Sequence, residues 1–153
     1  MGALWFSLLA RDLFQVALSG TTLVPDLVVL ALVWLAINRC EDTAGLFVPA
    51  FLAGLFWDLR WTALPGMTST SYILVVAVTS WIWVHIPAGK RHNPVLFFIW
   101  MVFAHGFSSS LPALFSGQGV RLSAHLLSQQ GMAVACALGL TALFIRRARN
   151  HHE

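Results

Sequence analysis

Charge is the scarcest property of this sequence. Asp, Glu, Lys and Arg make up 10% of its 153 residues, and six of those residues are acidic. A soluble domain carries roughly 25% charged residues. The apolar share is 58%, while a soluble domain of about 150 residues still exposes roughly 30% of its unfolded area. A water-soluble fold has too little interior for so much apolar surface. Cysteine is also scarce: Cys40 and Cys136 form no C-x-x-C pair, so neither a disulfide framework nor a zinc site is expected. No His/Cys/Asp/Glu cluster has metal-ligand spacing, no glycine-rich loop with a lysine could hold a nucleotide, and no G-x-S-x-G elbow occurs. No catalytic residue, metal or cofactor is therefore expected, and the chain does not read as an enzyme. The net charge of +3 and pI near 9.5 do not indicate a nucleic-acid partner. Three of the nine basic residues, Arg146, Arg147 and Arg149, share one tail, and no DNA- or RNA-reading motif accompanies the rest.

What is present is a series of apolar blocks separated by charges, Pro and Gly, the pattern of repeated membrane spans. The blocks cover residues 3–20, 23–37, 44–61, 67–86, 95–115 and 122–145. They predict an all-α integral membrane protein, a single compact bundle of about six transmembrane helices with short connections. Asn93-Pro94 reads as an N-cap followed by proline at the first helical position. Pro65-Gly66 and Ser116-Gly117-Gln118-Gly119 read as turns. Pro49 falls about one turn inside the third block, so that helix either starts near Phe47 or bends there. The second block has about 15 residues against the usual ~20. In the first, adjacent Arg11 and Asp12 point in different directions and each needs its own partner. The alternative makes residues up to Arg11 an interfacial helix. No basic segment precedes the first block, so it does not read as a secretory signal.

Lys and Arg between blocks set the orientation. With a cytoplasmic N-terminus, the inner side holds Arg39, Lys90, Arg91, Arg146, Arg147 and Arg149, and the outer side Arg60 and Arg121. Both termini are therefore expected in the cytoplasm. Trp57 and Trp61 then flank the outer end of the third block, while Trp34, Trp81 and Trp83 lie toward inner ends, depths that suit an amphipathic ring. Trp100 reads as a packing residue.

Few polar residues ask for an explanation. Asp26 follows Pro25 at the start of the second helix, where a carboxylate can cap free N–H groups. Asp58 lies toward the end of the third, where the dipole disfavours an anion. A pairing with Arg60, with Arg121 or with a partner protein would account for it. His105, near the middle of the fifth block, is expected to face the bundle interior as a neutral, hydrogen-bonded side chain or as a functional polar contact. His85 and His125 lie near block ends. The run Ser108-Ser109-Ser110 could in principle meet His105, but serines in such helices usually bond back to the preceding turn. Small residues at four-residue spacing, Ala50-Gly54-Asp58 in the third block and Gly131-Ala135-Gly139 in the sixth, permit close helix packing within the chain or against a partner helix.

The stretch from Pro25-Asp26-Leu27 through Gly54-Leu-Phe-Trp-Asp58-Leu59 to Gly66 resembles MreD, the rod shape-determining membrane protein family of bacteria. That family opens its second helix with Pro and Asp or Asn, ends the third with a Gly-x3-Asp pair, and has another glycine eight residues on. Ala50 and Thr62 stand where many relatives have glycine. The resemblance covers about 40 residues in detail and the remainder in hydropathy. It implies a non-enzymatic inner-membrane subunit of the cell-elongation machinery that binds the single-span protein MreC. Through MreC it would act with MreB, RodA and the transpeptidase partner of RodA in lateral peptidoglycan synthesis. It also implies a fold similar to the six-helix substrate-binding subunits of energy-coupling-factor vitamin transporters, and makes Pro25, Asp26, Gly54, Asp58 and Gly66 structural or partner-facing. The rival reading is such a transporter subunit itself, with Trp57, Trp61 and Thr68-Ser69-Thr70-Ser71 lining a pocket. A reporter fused after Glu153 should be active only if it is of a type that works in the cytoplasm; activity confined to the outer side would overturn the orientation.

Overall fold

Six α-helices follow one another: α1 Gly2–Ala17, α2 Leu27–Asn38, α3 Ala44–Trp61, α4 Met67–His85, α5 Pro94–Phe115 and α6 Ala124–Asn150. A 3-10 turn, Ala88–Lys90, lies between α4 and α5. The computed structural model describes residues 2–17, 24–39, 43–61, 65–91, 93–115 and 124–150. Cys40, Thr62 and Arg121 lie outside the described residues, as do the side chains of His125, Arg147 and Arg149.

The middle of the fold is α2. Its sequence is apolar on every side, and Val28, Val29, Leu30, Leu32, Val33, Ala36 and Ile37 are all buried. A helix apolar all round belongs in an interior, and α1, α3, α4 and α5 all pack against this one. It starts later than the expected 23–37 block, because Pro25 and Asp26 stay outside it and Asp26 forms its N-cap. Twelve residues give a rise of about 18 Å, well short of the roughly 30 Å hydrocarbon core of a bilayer. Among the described residues, three stretches are long and apolar enough to cross a membrane: Met67–His85, Pro94–Leu111 and Leu127–Arg146.

The helix ends follow local chemistry. Asn93 Oδ1 accepts the Val95 N–H at 2.9 Å, the expected cap ahead of Pro94. Helix α3 begins at Ala44 rather than near Phe47, so Pro49 lies inside it and leaves the Gly45 carbonyl without its usual donor. Ser71, Ser80 and Thr141 bond back to carbonyls four residues earlier, at 3.0, 2.7 and 2.7 Å, which satisfies the hydroxyls within their own helices. At the other end of the bundle from Asp26, Trp34, Phe97 and Phe144 tie α2, α5 and α6 together. Phe97 stacks on Phe144 at 4.5 Å, and Trp34 meets Phe97 edge-on at 5.6 Å.

Polarity is distributed from inside to outside in the reverse of a soluble fold. Asp58, His105, Ser69, Thr79 and Ser108 are buried, while Phe6 (74% exposed), Leu59 and Leu13 stand outside. Such a surface suits lipid, because water would leave many large apolar side chains unsupported. Two tryptophans depart from the expected headgroup positions. Trp57 and Trp83 are buried within the bundle, whereas Trp81 and Trp61 are exposed. Trp100 packs as expected, donating its indole N–H to Thr79 Oγ1 at 3.0 Å.

The two stripes of small residues differ. Ala50, Gly54 and Asp58 are buried, and a Cβ added at Gly54 would fall 2.4 Å from the Ser69 Cα and 2.5 Å from its nitrogen. Helices α3 and α4 thus touch backbone to backbone. Gly131, Ala135 and Gly139 instead face outward, and nothing lies within 4 Å of a Cβ added at either glycine. Gly54→Ala should therefore destabilise the protein by about 1–3 kcal/mol through overpacking. Gly139→Ala should change stability by less than about 0.5 kcal/mol. Thermal unfolding of the detergent-purified variants measures both.

Candidate functional site

The polar interior is organised around two carboxylates. Asp58, 1% exposed, sits in the last turns of α3 and reaches across to the start of α4. Its Oδ2 accepts N–H groups from Gly66 at 2.8 Å, Thr68 at 3.0 Å and Ser69 at 3.4 Å. These are donors that the first turn of α4 cannot satisfy within the helix. The dipole of α3 disfavours an anion at this end, but the positive end of α4 favours it. Gly66 makes the geometry possible with a left-handed φ of +95°, a conformation open to glycine without steric cost. The expected ion pair of Asp58 with Arg60 does not form, because the Arg60 guanidinium pairs with Asp12 at 3.1 Å.

The second carboxylate, Asp26, gathers the other helices. Oδ1 caps α2 through the Val29 N–H at 3.2 Å and pairs with Arg11 Nη1 of α1 at 2.8 Å. The Tyr72 hydroxyl of α4 donates to the carboxylate at 3.0 Å and itself accepts a hydrogen bond from Arg11. The Asp26 backbone N–H donates to His105 Nε2 of α5 at 3.0 Å. An N–H can only donate, so that imidazole nitrogen is bare and the ring is the neutral tautomer with its proton on Nδ1. That proton faces Gln130 Oε1 of α6 at 3.3 Å. Gly106 leaves room for the amide, since a Cβ there would lie 3.0 Å from Gln130 Nε2. Helix α3 joins through Trp57, whose ring lies under the Arg11 guanidinium at 3.6 Å.

Arg11 and Asp12 therefore find separate partners. Asp12 accepts the Trp61 indole N–H at 3.0 Å as well as pairing with Arg60. Buried charges in so apolar a setting are costly unless paired and hydrogen-bonded, and both conditions are met. Both ring nitrogens of His105 are engaged, so neither is free to activate Ser108. Among the described residues no group of three or more His, Cys, Asp or Glu side chains could hold a metal ion.

Of the positions the sequence singles out, the structure joins Asp26 and His105 in one network and Gly54, Asp58 and Gly66 in another, while the Pro25 carbonyl accepts the Leu27 N–H at the start of α2. Gly54 and Asp58 are turned into α4 rather than outward, so any influence on a partner passes through the placement of α4. The sequence shows that Arg11 needs a partner, but its motifs do not single out Tyr72 or Gln130, which complete the network. Tyr72 is the single tyrosine of the chain, set in an otherwise apolar helix stretch, and that isolation was a readable signal. Gln130 carried none.

Next to the Asp26 network lies a cavity of about 200 Å³. Five helices and the N-cap of α2 contribute to it: Arg11 from α1, Asp26 ahead of α2, Trp57 from α3, Ser71 from α4, Ser108 from α5 and Gln129 from α6. It lies at the end of the bundle where the odd-numbered helices finish and the even-numbered ones begin. No protein-family model, curated protein or solved structure matches the chain. Arg11→Met should leave the Asp26 carboxylate with only the Tyr72 hydroxyl and the Val29 N–H, at a cost of about 1–3 kcal/mol. The double variant Arg11→Met/Asp26→Asn should lose less than the two single changes summed, and a double-mutant cycle of thermal stabilities measures the difference.

Proposed function

We propose that this chain is an MreD-type subunit of the bacterial cell-elongation complex, non-enzymatic and embedded in the inner membrane with both termini cytoplasmic. All six helices would lie in the bilayer, with α2 enclosed by its neighbours instead of facing lipid. Its direct partner would be MreC, and through MreC it would act with MreB, RodA and the transpeptidase. One observation carries this reading. Three of the five positions that resemble the MreD pattern, Gly54, Asp58 and Gly66, meet in a single junction. Gly54 lets the helices touch, Gly66 turns the chain between them, and Asp58 caps the second. A pattern whose members depend on one another physically is stronger support than three scattered matches.

The polar cavity favours a second reading, the small-molecule-binding subunit of a vitamin-type transporter, since Trp57, Thr68 and Ser71 line it. Its volume argues against that reading. Sites for ligands of that size are about 300–1,000 Å³, and this one holds about 200 Å³. The elongation reading is therefore preferred. Asp58→Ala and Gly54→Leu, compared at equal membrane levels, should weaken co-purification with MreC, and depletion of the protein should round rod-shaped cells. Unchanged recovery of MreC with both variants would refute the proposal.

A further inference from the structure

The chemistry of the cavity is not needed by the α3–α4 junction. Its volume of about 200 Å³ equals roughly six or seven water molecules at about 30 Å³ each. The ion pair Arg11–Asp26 reaches its surface, with 13% and 12% of the two side chains still open. Hydroxyls of Thr68, Ser71 and Ser109 add donors and acceptors, and Trp57 adds an apolar wall.

The charge of these walls selects the ligand. Among the described residues a lone anion finds no unspent basic side chain: Arg11 is paired with Asp26 and stacked on Trp57. The N-termini of α2 and α4 are spent too, on Asp26 and Asp58. A lone cation meets a carboxylate already bonded to Arg11, Tyr72 and the Val29 N–H. An apolar molecule would strip hydrogen bonds from the hydroxyls and the ion pair without replacing them. A molecule carrying both charges avoids each penalty. Laid antiparallel to the ion pair, its ammonium meets Asp26 and its oxyanion meets Arg11, so every charge gains a second counter-charge and none loses its first.

We propose that the cavity is a binding site for a small zwitterion, an ammonium a few bonds from an oxyanion. A free α-amino acid and a phosphoethanolamine headgroup share that chemistry. The site is independent of the MreD reading: ligand binding tests the one and MreC recovery the other, so the two fail separately.

The test uses the full chain, purified in detergent and reconstituted in nanodiscs. Thermal unfolding and calorimetry follow titration with glycine, alanine, serine and O-phosphoethanolamine. Saturable stabilisation is expected, with N-acetylated or amidated analogues binding at least roughly tenfold more weakly. Ser109→Leu, which fills the cavity without touching the ion pair, should abolish it while the unliganded protein stays folded. Gln129→Leu serves the same purpose should the first variant fail to fold. Stabilisation by free amino acids in discs of phosphatidylglycerol alone identifies a soluble ligand. Stabilisation confined to O-phosphoethanolamine and to discs containing phosphatidylethanolamine identifies the lipid headgroup. Equal binding of the blocked analogues or of glycerol, binding of inorganic phosphate alone, stabilisation that survives in a folded cavity-filled variant, or no response to any probe overturns the proposal.

Discussion

Asp26 is the residue through which most of the bundle is connected. Its carboxylate caps α2, holds Arg11 of α1 and accepts from Tyr72 of α4, and its backbone N–H reaches His105 of α5. His105 in turn engages Gln130 of α6. Apolar helices gain little orientation from one another when their surroundings are as apolar as they are. A buried charge behaves differently, because it tolerates few positions for its partners. One carboxylate can therefore set the relative placement of five helices whose remaining contacts are largely nonspecific.

Asp58 does comparable work between α3 and α4. Both carboxylates cap the N-terminus of an even-numbered helix at the same end of the bundle, but they do so differently. Asp26 caps the helix that follows it directly. Asp58 belongs to the preceding helix and reaches across a turn, which requires the close approach at Gly54 and the left-handed backbone at Gly66. Placing both caps at one end concentrates polar groups there, and the cavity lies among them. The opposite end is held by the aromatic contacts of Trp34, Phe97 and Phe144. The interior of the bundle is thus polar at one end and aromatic at the other.

Much of the architecture was legible beforehand because it rests on local signals. The 44–61 helix matched to the residue, and Asn93-Pro94 began a helix as its chemistry requires. The capping role of Asp26 was readable for the same reason: a cap depends on the next three residues. The start of α2 was misplaced because Leu23 and Val24 continue the apolar run although Pro25 and Asp26 end the helix there. The donors found for Asp58 lie at the start of the following helix, and a dipole argument confined to α3 can say only that the anion is out of place. Arg60 pairs with Asp12 instead, and Arg121 lies outside the described residues.

The sequence by itself determined the number of helices, their apolar character and the identity of the residues needing polar partners, since these follow from composition and from chemistry within a turn or so. Tertiary structure alone decided which partners they found. Arg11 lies 15 residues from Asp26 in the chain, and His105 lies 79 away, separations at which sequence carries no distance information. It also decided the fates of the two small-residue stripes, one pressed backbone to backbone against α4 and the other left facing out. Spacing alone can show that a helix has a narrow face, but which neighbour comes to lie on it depends on the packing of the whole bundle.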